Sequence, residues 1–113
     1  MNFAYGETVT RLRAPLVTDR YGSQVRDWAN ATRTDIPGGG LAPRPAGEED
    51  GQGREGVIIG WTWFAPAGTD ILATDRVEVR GEVHQVDGEP ADWRSPFTGW
   101  HPGIAVNLRR VEG

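Results

Sequence analysis

At 113 residues, with a formal charge of −4 and no cysteine, the chain reads as one domain, with enough length to bury roughly two thirds of its unfolded surface in a single core. The missing cysteine excludes disulfides, thiolate zinc sites and thiol nucleophiles together, and the negative balance argues against a general nucleic-acid binder, which needs a basic face to neutralise phosphates. All 12 basic side chains are arginine, and 16 Gly with 8 Pro predict a turn-rich sheet protein rather than a helical one.

No run approaches the roughly 20 apolar residues of a membrane span. The start, Met1-Asn2-Phe3-Ala4-Tyr5-Gly6, lacks a basic region followed by an apolar one. The expectation is a protein made and used in the cytoplasm, with no membrane partner.

Tyr5 to Arg13 reads as a first strand, carried by Thr8, Val9, Thr10 and Leu12, with Ala14-Pro15 as its exit. A turn at Asp19-Arg20-Tyr21-Gly22 feeds Ser23 to Ala29, where Val25 and Trp28 are expected to supply apolar contacts in a hairpin. From Asp35 to Gly56 the composition changes. Ten of these 22 residues are Gly or Pro, and five acids stand against Arg44 and Arg54. Such a segment buries too little apolar surface to offset its ordering entropy, so residues 35–56 are expected to form one long acidic loop. It reads either as a solvated connection or as a tongue, led by Glu48, Glu49 and Asp50, that touches a partner or lines a pore.

Val57 to Phe64 is the strongest strand signal. Val57, Ile59, Trp61 and Trp63 share one face by the two-residue period, while Ile58 and Phe64 share the other with Gly60 and Thr62. A strand with two apolar faces is either central in a closed barrel or covered from outside the chain, which makes Ile58, Trp61, Trp63 and Phe64 candidates for a subunit interface. Ala65-Pro66-Ala67-Gly68 turns the chain. Arg76 to Arg80 then alternates cleanly, Val77 and Val79 inward and Arg76, Glu78 and Arg80 outward, before reversing at Gly81. The return strand, Glu82 to Asp87, places His84 on the core side with Val86, as a hydrogen-bonded core residue rather than a ligand or base. Gly88-Glu89-Pro90 ends that strand. Trp93, Pro96-Phe97 and Trp100-His101-Pro102 predict an aromatic loop plugging one end of the body. The closing strand points Ile104, Val106 and Leu108 inward, leaving Arg109 and Arg110 as a small basic terminus.

No catalytic residue can be nominated. Ser23 and Ser95 lie outside any Gly-x-Ser-x-Gly elbow, and flexible loop carboxylates cannot form the rigid pair that glycoside hydrolysis needs. Gly38-Gly39-Gly40 lacks the Lys-Ser/Thr of a phosphate loop and reads as a linker. His84 and His101 fall in no metal-ligand pattern, so neither metal nor cofactor is expected, and the chain does not read as an enzyme.

Taken together, Thr69-Asp70-Ile71, Asp75-Arg76-Val77, Gly81, Val86-Asp87-Gly88, Pro90, Trp93, Gly99 and Val106-Asn107-Leu108-Arg109-Arg110 resemble the bacteriophage head-tail joining proteins, the stoppers of the long-tailed phage neck. Asp19-Arg20-Tyr21-Gly22 to Asp27-Trp28 and the Val57 to Pro66 strand also fit actinophage members. The likeness covers most of the chain outside residues 35–56 and departs at His84, where an aromatic residue is more usual. It implies an all-β fold, a small β-barrel of about six to seven strands with one long Gly/Pro-rich loop. It also implies a structural virion protein at the head-tail junction, assembled as a ring of about six or twelve copies through a heterologous interface. Such a ring lies beneath the portal and its adaptor, closes the DNA channel after packaging without sequence-specific DNA contact, and docks the tail terminator or tail tube below. Its channel and interface candidates are Ile58, Trp61, Trp63, Phe64, Glu48, Glu49, Asp50, Arg109 and Arg110. Two other readings stay open: a tail terminator or minor tail protein, and a carbohydrate-binding module built on Trp93, Phe97 and Trp100.

Overall fold

Alternation of apolar and polar residues builds most of the barrel wall. The computed structural model describes residues 6–45, 58–93, 96–99 and 103–111, and among them the strands are β1 (Glu7–Arg13), β2 (Leu16–Thr18), β3 (Gln24–Arg26), β4 (Thr32–Pro45), β5 (Ile58–Ala65), β6 (Arg76–Val79), β7 (Glu82–Val86), β8 (Ala91–Trp93) and β9 (Gly103–Arg110). One 3₁₀ turn, Trp28–Asn30, is the only helical element among the described residues. The main sheet runs β5-β4-β1-β6-β7-β9, and β5 pairs again with β9, which closes a six-stranded antiparallel barrel. β8 is an extra strand beside the start of β9, and β2 with β3 forms a separate ribbon.

The barrel interior is filled by the inward half of each alternation. Val9, Trp63, Ala65, Ile71, Val77, Val79, Val86, Ile104, Val106 and Leu108 form one buried cluster, with Ile36, Leu41 and Trp61 packed against it. His84 is fully buried among them, its Nδ1 2.9 Å from the Glu82 carbonyl oxygen, as its parity with Val86 predicts. Arg80 (φ 51°) and Gly81 (φ 83°) make the two-residue β6–β7 reversal in the left-handed region that such tight turns require.

β4 corrects the largest sequence expectation. Asp35 to Pro45, expected as the first half of a flexible loop, is strand. Residues 32–36 and Gly39 pair with β1, and Gly40 to Pro45 pair with β5. The composition argument fails here because the ladder is supplied by neighbours and the glycines have positional work. Gly38 (φ 83°) sits at the β-bulge where β4 bends from one partner to the other. A Cβ on Gly39 would lie 2.3 Å from Trp63 Nε1, so its bare backbone makes room for the central indole. Gly38-Gly39-Gly40 is thus a barrel corner and not a linker. Residues 46–56 of the expected loop, with Glu48, Glu49 and Asp50, lie outside the described residues.

The hairpin at Asp19–Gly22 forms from β2 and β3 and stands apart from the barrel sheet. Asp19 Oδ1 accepts from the Tyr21 and Ser23 amides, both at 2.9 Å, the side-chain turn that this Asp predicts. Val25, expected to pack, is exposed together with Leu16, Val17 and Tyr21. Of the expected aromatic plug, Phe97 alone has a described ring, and it does not fill the barrel end. Ala91–Trp93 is strand β8, Phe97 is 94% exposed, and Trp100 to Pro102 lie outside the described residues.

The barrel end at the Arg13–Thr32 pair is closed by the β5–β6 connection, which lowers Ile71 into the core and buries Asp75. Asp75 accepts from Arg13 Nε (2.9 Å) and Nη2 (2.8 Å) and from the Leu72 amide (2.8 Å). Asp70 accepts from Arg13 Nη1 at 2.9 Å, while its backbone carbonyl accepts from Arg11 Nη1, also at 2.9 Å. Hydrogen bonding from Arg13 holds the Asp70 carboxyl below its ordinary pKa, and the two aspartates raise the Arg13 guanidinium above its own.

Candidate assembly surface

Three of the four candidate side chains on β5 divide between the two faces of the barrel wall. Trp63 is fully buried in its own core and Trp61 packs against that core beneath Arg80, whose guanidinium lies 4.8 Å from the ring centroid. Trp63 offers no surface to a neighbour, which corrects that expectation for it, because β5 is central in a closed barrel, bonded to β4 and β9; Trp61 is half-buried. Phe64 is half-buried. It lies on the other face of β5 with Gly60 and Thr62, and Thr62 Oγ1 lies 3.2 Å from Asn107 Oδ1. For Ile58 the backbone alone is described, paired with Pro45.

Gly60 sets how closely the wall is drawn. A Cβ there would fall 1.9 Å from the Leu108 carbonyl oxygen and 3.0 Å from Arg109 Cα, so only glycine lets β5 and β9 approach. Across this gap Arg44 reaches from β4 to donate to the Leu108 carbonyl at 3.1 Å and to Asp87 Oδ2 at 3.2 Å.

The register aligns one row of residues around the wall. Arg33 pairs with Leu12, Leu12 with Arg76, Arg76 with Gln85, Gln85 with Arg109, Arg109 with Gly60, and Gly60 with Arg44. The row leaves β4 at Arg33 and returns to it at Arg44 because strands in a barrel are staggered as well as closed. It carries four arginines around an otherwise acidic protein. Most arginines on the body are neutralised. Arg11 and Arg13 pair with Asp70, Arg13 also with Asp75, Arg33 with Glu78, Arg44 with Asp87, Arg80 with Glu7 and Arg110 with Glu82. The Arg80 hydrogen bond draws the Glu7 carboxyl below its ordinary pKa.

Arg76 and Arg109 differ from these. Among the described residues neither has a carboxylate partner. Arg76 stacks on Trp28, its guanidinium carbon 4.1 Å from the ring centroid, and Arg109 is exposed. With Gln85, Arg110 and Val111 they line a cleft of about 390 Å³ on the barrel wall. Of the sequence-derived candidates, Arg109 and Arg110 are brought together here. Arg76 and Gln85 escape sequence reasoning as members, because their outward direction follows from alternation whereas their place beside Arg109 needs the strand register.

No group of three or more His, Asp or Glu side chains among the described residues is placed to hold a metal ion, and no described helix is long and apolar enough to cross a membrane. Comparison with protein-family models finds no match, and a search of curated proteins finds no relative.

Proposed function

We propose that this chain is a structural virion protein of the bacteriophage neck, a head-to-tail stopper whose copies form a ring beneath the portal and adaptor, close the DNA channel and dock the tail. The observation that carries the reading is the closed barrel whose interior is filled by its own side chains, with its distinctive chemistry on the outside. The residues that carry the family resemblance support it by their positions. Asp70, Ile71 and Asp75 close one barrel end, Val77 and Val86 line the core, and Val106 to Arg110 lie on the strand that completes the wall. The β2–β3 ribbon adds exposed apolar side chains outside the core, the paired Val17 and Val25 on one face and Leu16 on the other, and burying such side chains against another subunit contributes about 25 cal/mol per Å².

The test is to delete the gene from a phage that carries it and image the particles. The reading expects DNA-filled heads without tails, free tails of normal length, and restoration of infectivity by the purified protein. Label from a tagged chain on free tails would assign it instead to tail termination, and its absence from both heads and tails would overturn the virion reading.

A further inference from the structure

The cleft formed by Arg76, Gln85 and Arg109 has the marks of a docking surface for carboxylates. Two cations with no counter-ion among the described residues flank a neutral amide, Arg76 one strand to one side and Arg109 one strand to the other, roughly 10 Å apart at two strand spacings. Arg76 lies over the Trp28 ring, its guanidinium carbon 4.1 Å from the centroid, a cation–π contact that restrains the side chain while leaving N–H groups to donate. The guanidinium fork matches carboxylate geometry, and a pre-oriented one loses less entropy on binding. Six other body arginines each have a carboxylate within 4.0 Å, so these two are the unmatched positive charge of the described wall.

The chain carries a matching block of negative charge in sequence, the run Glu48-Glu49-Asp50. Any fully extended tripeptide separates its first and third residues by roughly 7 Å, a spacing that side-chain reach extends to the distance between the two guanidiniums. Arg44 crosses Gly60 to Leu108 and Asp87, so the strip between β4 and Arg109 is already occupied on the same barrel. We propose that the Arg76–Gln85–Arg109 cleft receives the Glu48–Asp50 run of a second copy, a head-to-tail contact in which one acidic segment docks on the next barrel. This rests on the ring reading above and gives it a polarity: each subunit would contribute a basic cleft to one neighbour and its acidic run to the other, as a heterologous interface requires.

Sedimentation velocity at low salt tests it with four samples: the wild-type chain, Gln85→Glu/Arg109→Glu, Glu48→Arg/Glu49→Arg, and an equimolar mixture of the two variants. Neither Gln85 nor Arg109 has a side-chain partner among the described residues, and thermal melts establish that each variant folds. The expected result is self-association of the wild type that weakens about tenfold or more in each variant, as reversal of close interfacial charges does. The mixture regains it, because every contact between unlike copies is again between opposite charges. A wild type that associates regardless of the substitutions overturns this contact alone. A mixture that stays dissociated overturns docking between copies. A wild type that remains monomeric at every concentration overturns the ring reading along with it.

Discussion

Asp75 offers the sharpest test of how the barrel end is held. Its side chain is 1% exposed and supplies acceptors for Arg13 Nε, Arg13 Nη2 and the Leu72 amide at 2.8 to 2.9 Å. Charge-assisted bonds of this kind contribute about 1.5–3 kcal/mol when both partners are buried. Arg13 is 30% exposed and keeps Asp70, so the Arg13 share is screened to about 1.5 kcal/mol. The orphaned Leu72 amide adds about another 1.5 kcal/mol. Asp75→Ala is therefore expected to cost about 3 kcal/mol, a fall in Tm of roughly 10 °C for a domain of this size. Asp75→Asn, which keeps an acceptor for Leu72, should cost about half as much. Asp70→Asn, at the solvent-facing carboxylate, should cost less than either substitution at Asp75. Urea melts at neutral pH, read by tryptophan fluorescence, measure all three. A loss of under about 1 kcal/mol for Asp75→Ala, or equal losses at positions 70 and 75, would refute the claim that the buried aspartate fastens the connection while its neighbour only neutralises charge.

Gly60→Ala places a methyl group against the Leu108 carbonyl and must part β5 from β9; a loss of more than about 3 kcal/mol is expected, and a variant melting within a few degrees of wild type would show that the approach is not needed. His84→Phe removes a buried Nε2 that has no hydrogen-bond partner along with the bond near Glu82, so stability should stay level or rise by about 1 kcal/mol; a loss above about 2 kcal/mol would mean that Nε2 is satisfied. Acid should destabilise the barrel through Glu7 and Asp70. Both carboxyls titrate lower in the folded state than in the unfolded one, so their contribution is present above about pH 4 and is lost as pH falls through the depressed folded values. Urea midpoints measured from pH 7 down to about pH 2.5 should decline in that window, less steeply for a Glu7→Gln/Asp70→Asn double variant, and an unchanged slope would remove these two groups as the cause.

Alternation alone makes the barrel wall legible in the sequence. Val77 and Val79, His84 with Val86, and Ile104, Val106 and Leu108 all face the core as their spacing requires, because a one-residue slip would expose every one of them. The Gly/Pro-rich first half of residues 35–56 is not legible as strand, since glycine there answers to Trp63 packing and a bulge between two partners, neither of which is local. The β5 tryptophans stand out in the sequence, but their direction does not: local sequence cannot tell a strand covered by its own barrel from one covered by a neighbour. Arg109 and Arg110 are visible as a basic terminus, yet the cleft they share with Arg76 and Gln85 depends on lateral register across three strands.

The position of β9 has a consequence for how the molecule is made. It follows every other strand along the chain, and it alone joins β5 to β7, by pairings such as Thr62 with Asn107 and Val86 with Leu108. During synthesis the preceding strands can assemble only an open sheet, with the edges of β5 and β7 unbonded, until residues 103–110 leave the ribosome. Closure is then a late event with distant partners, the kind that folds slowly and leaves strand edges vulnerable meanwhile.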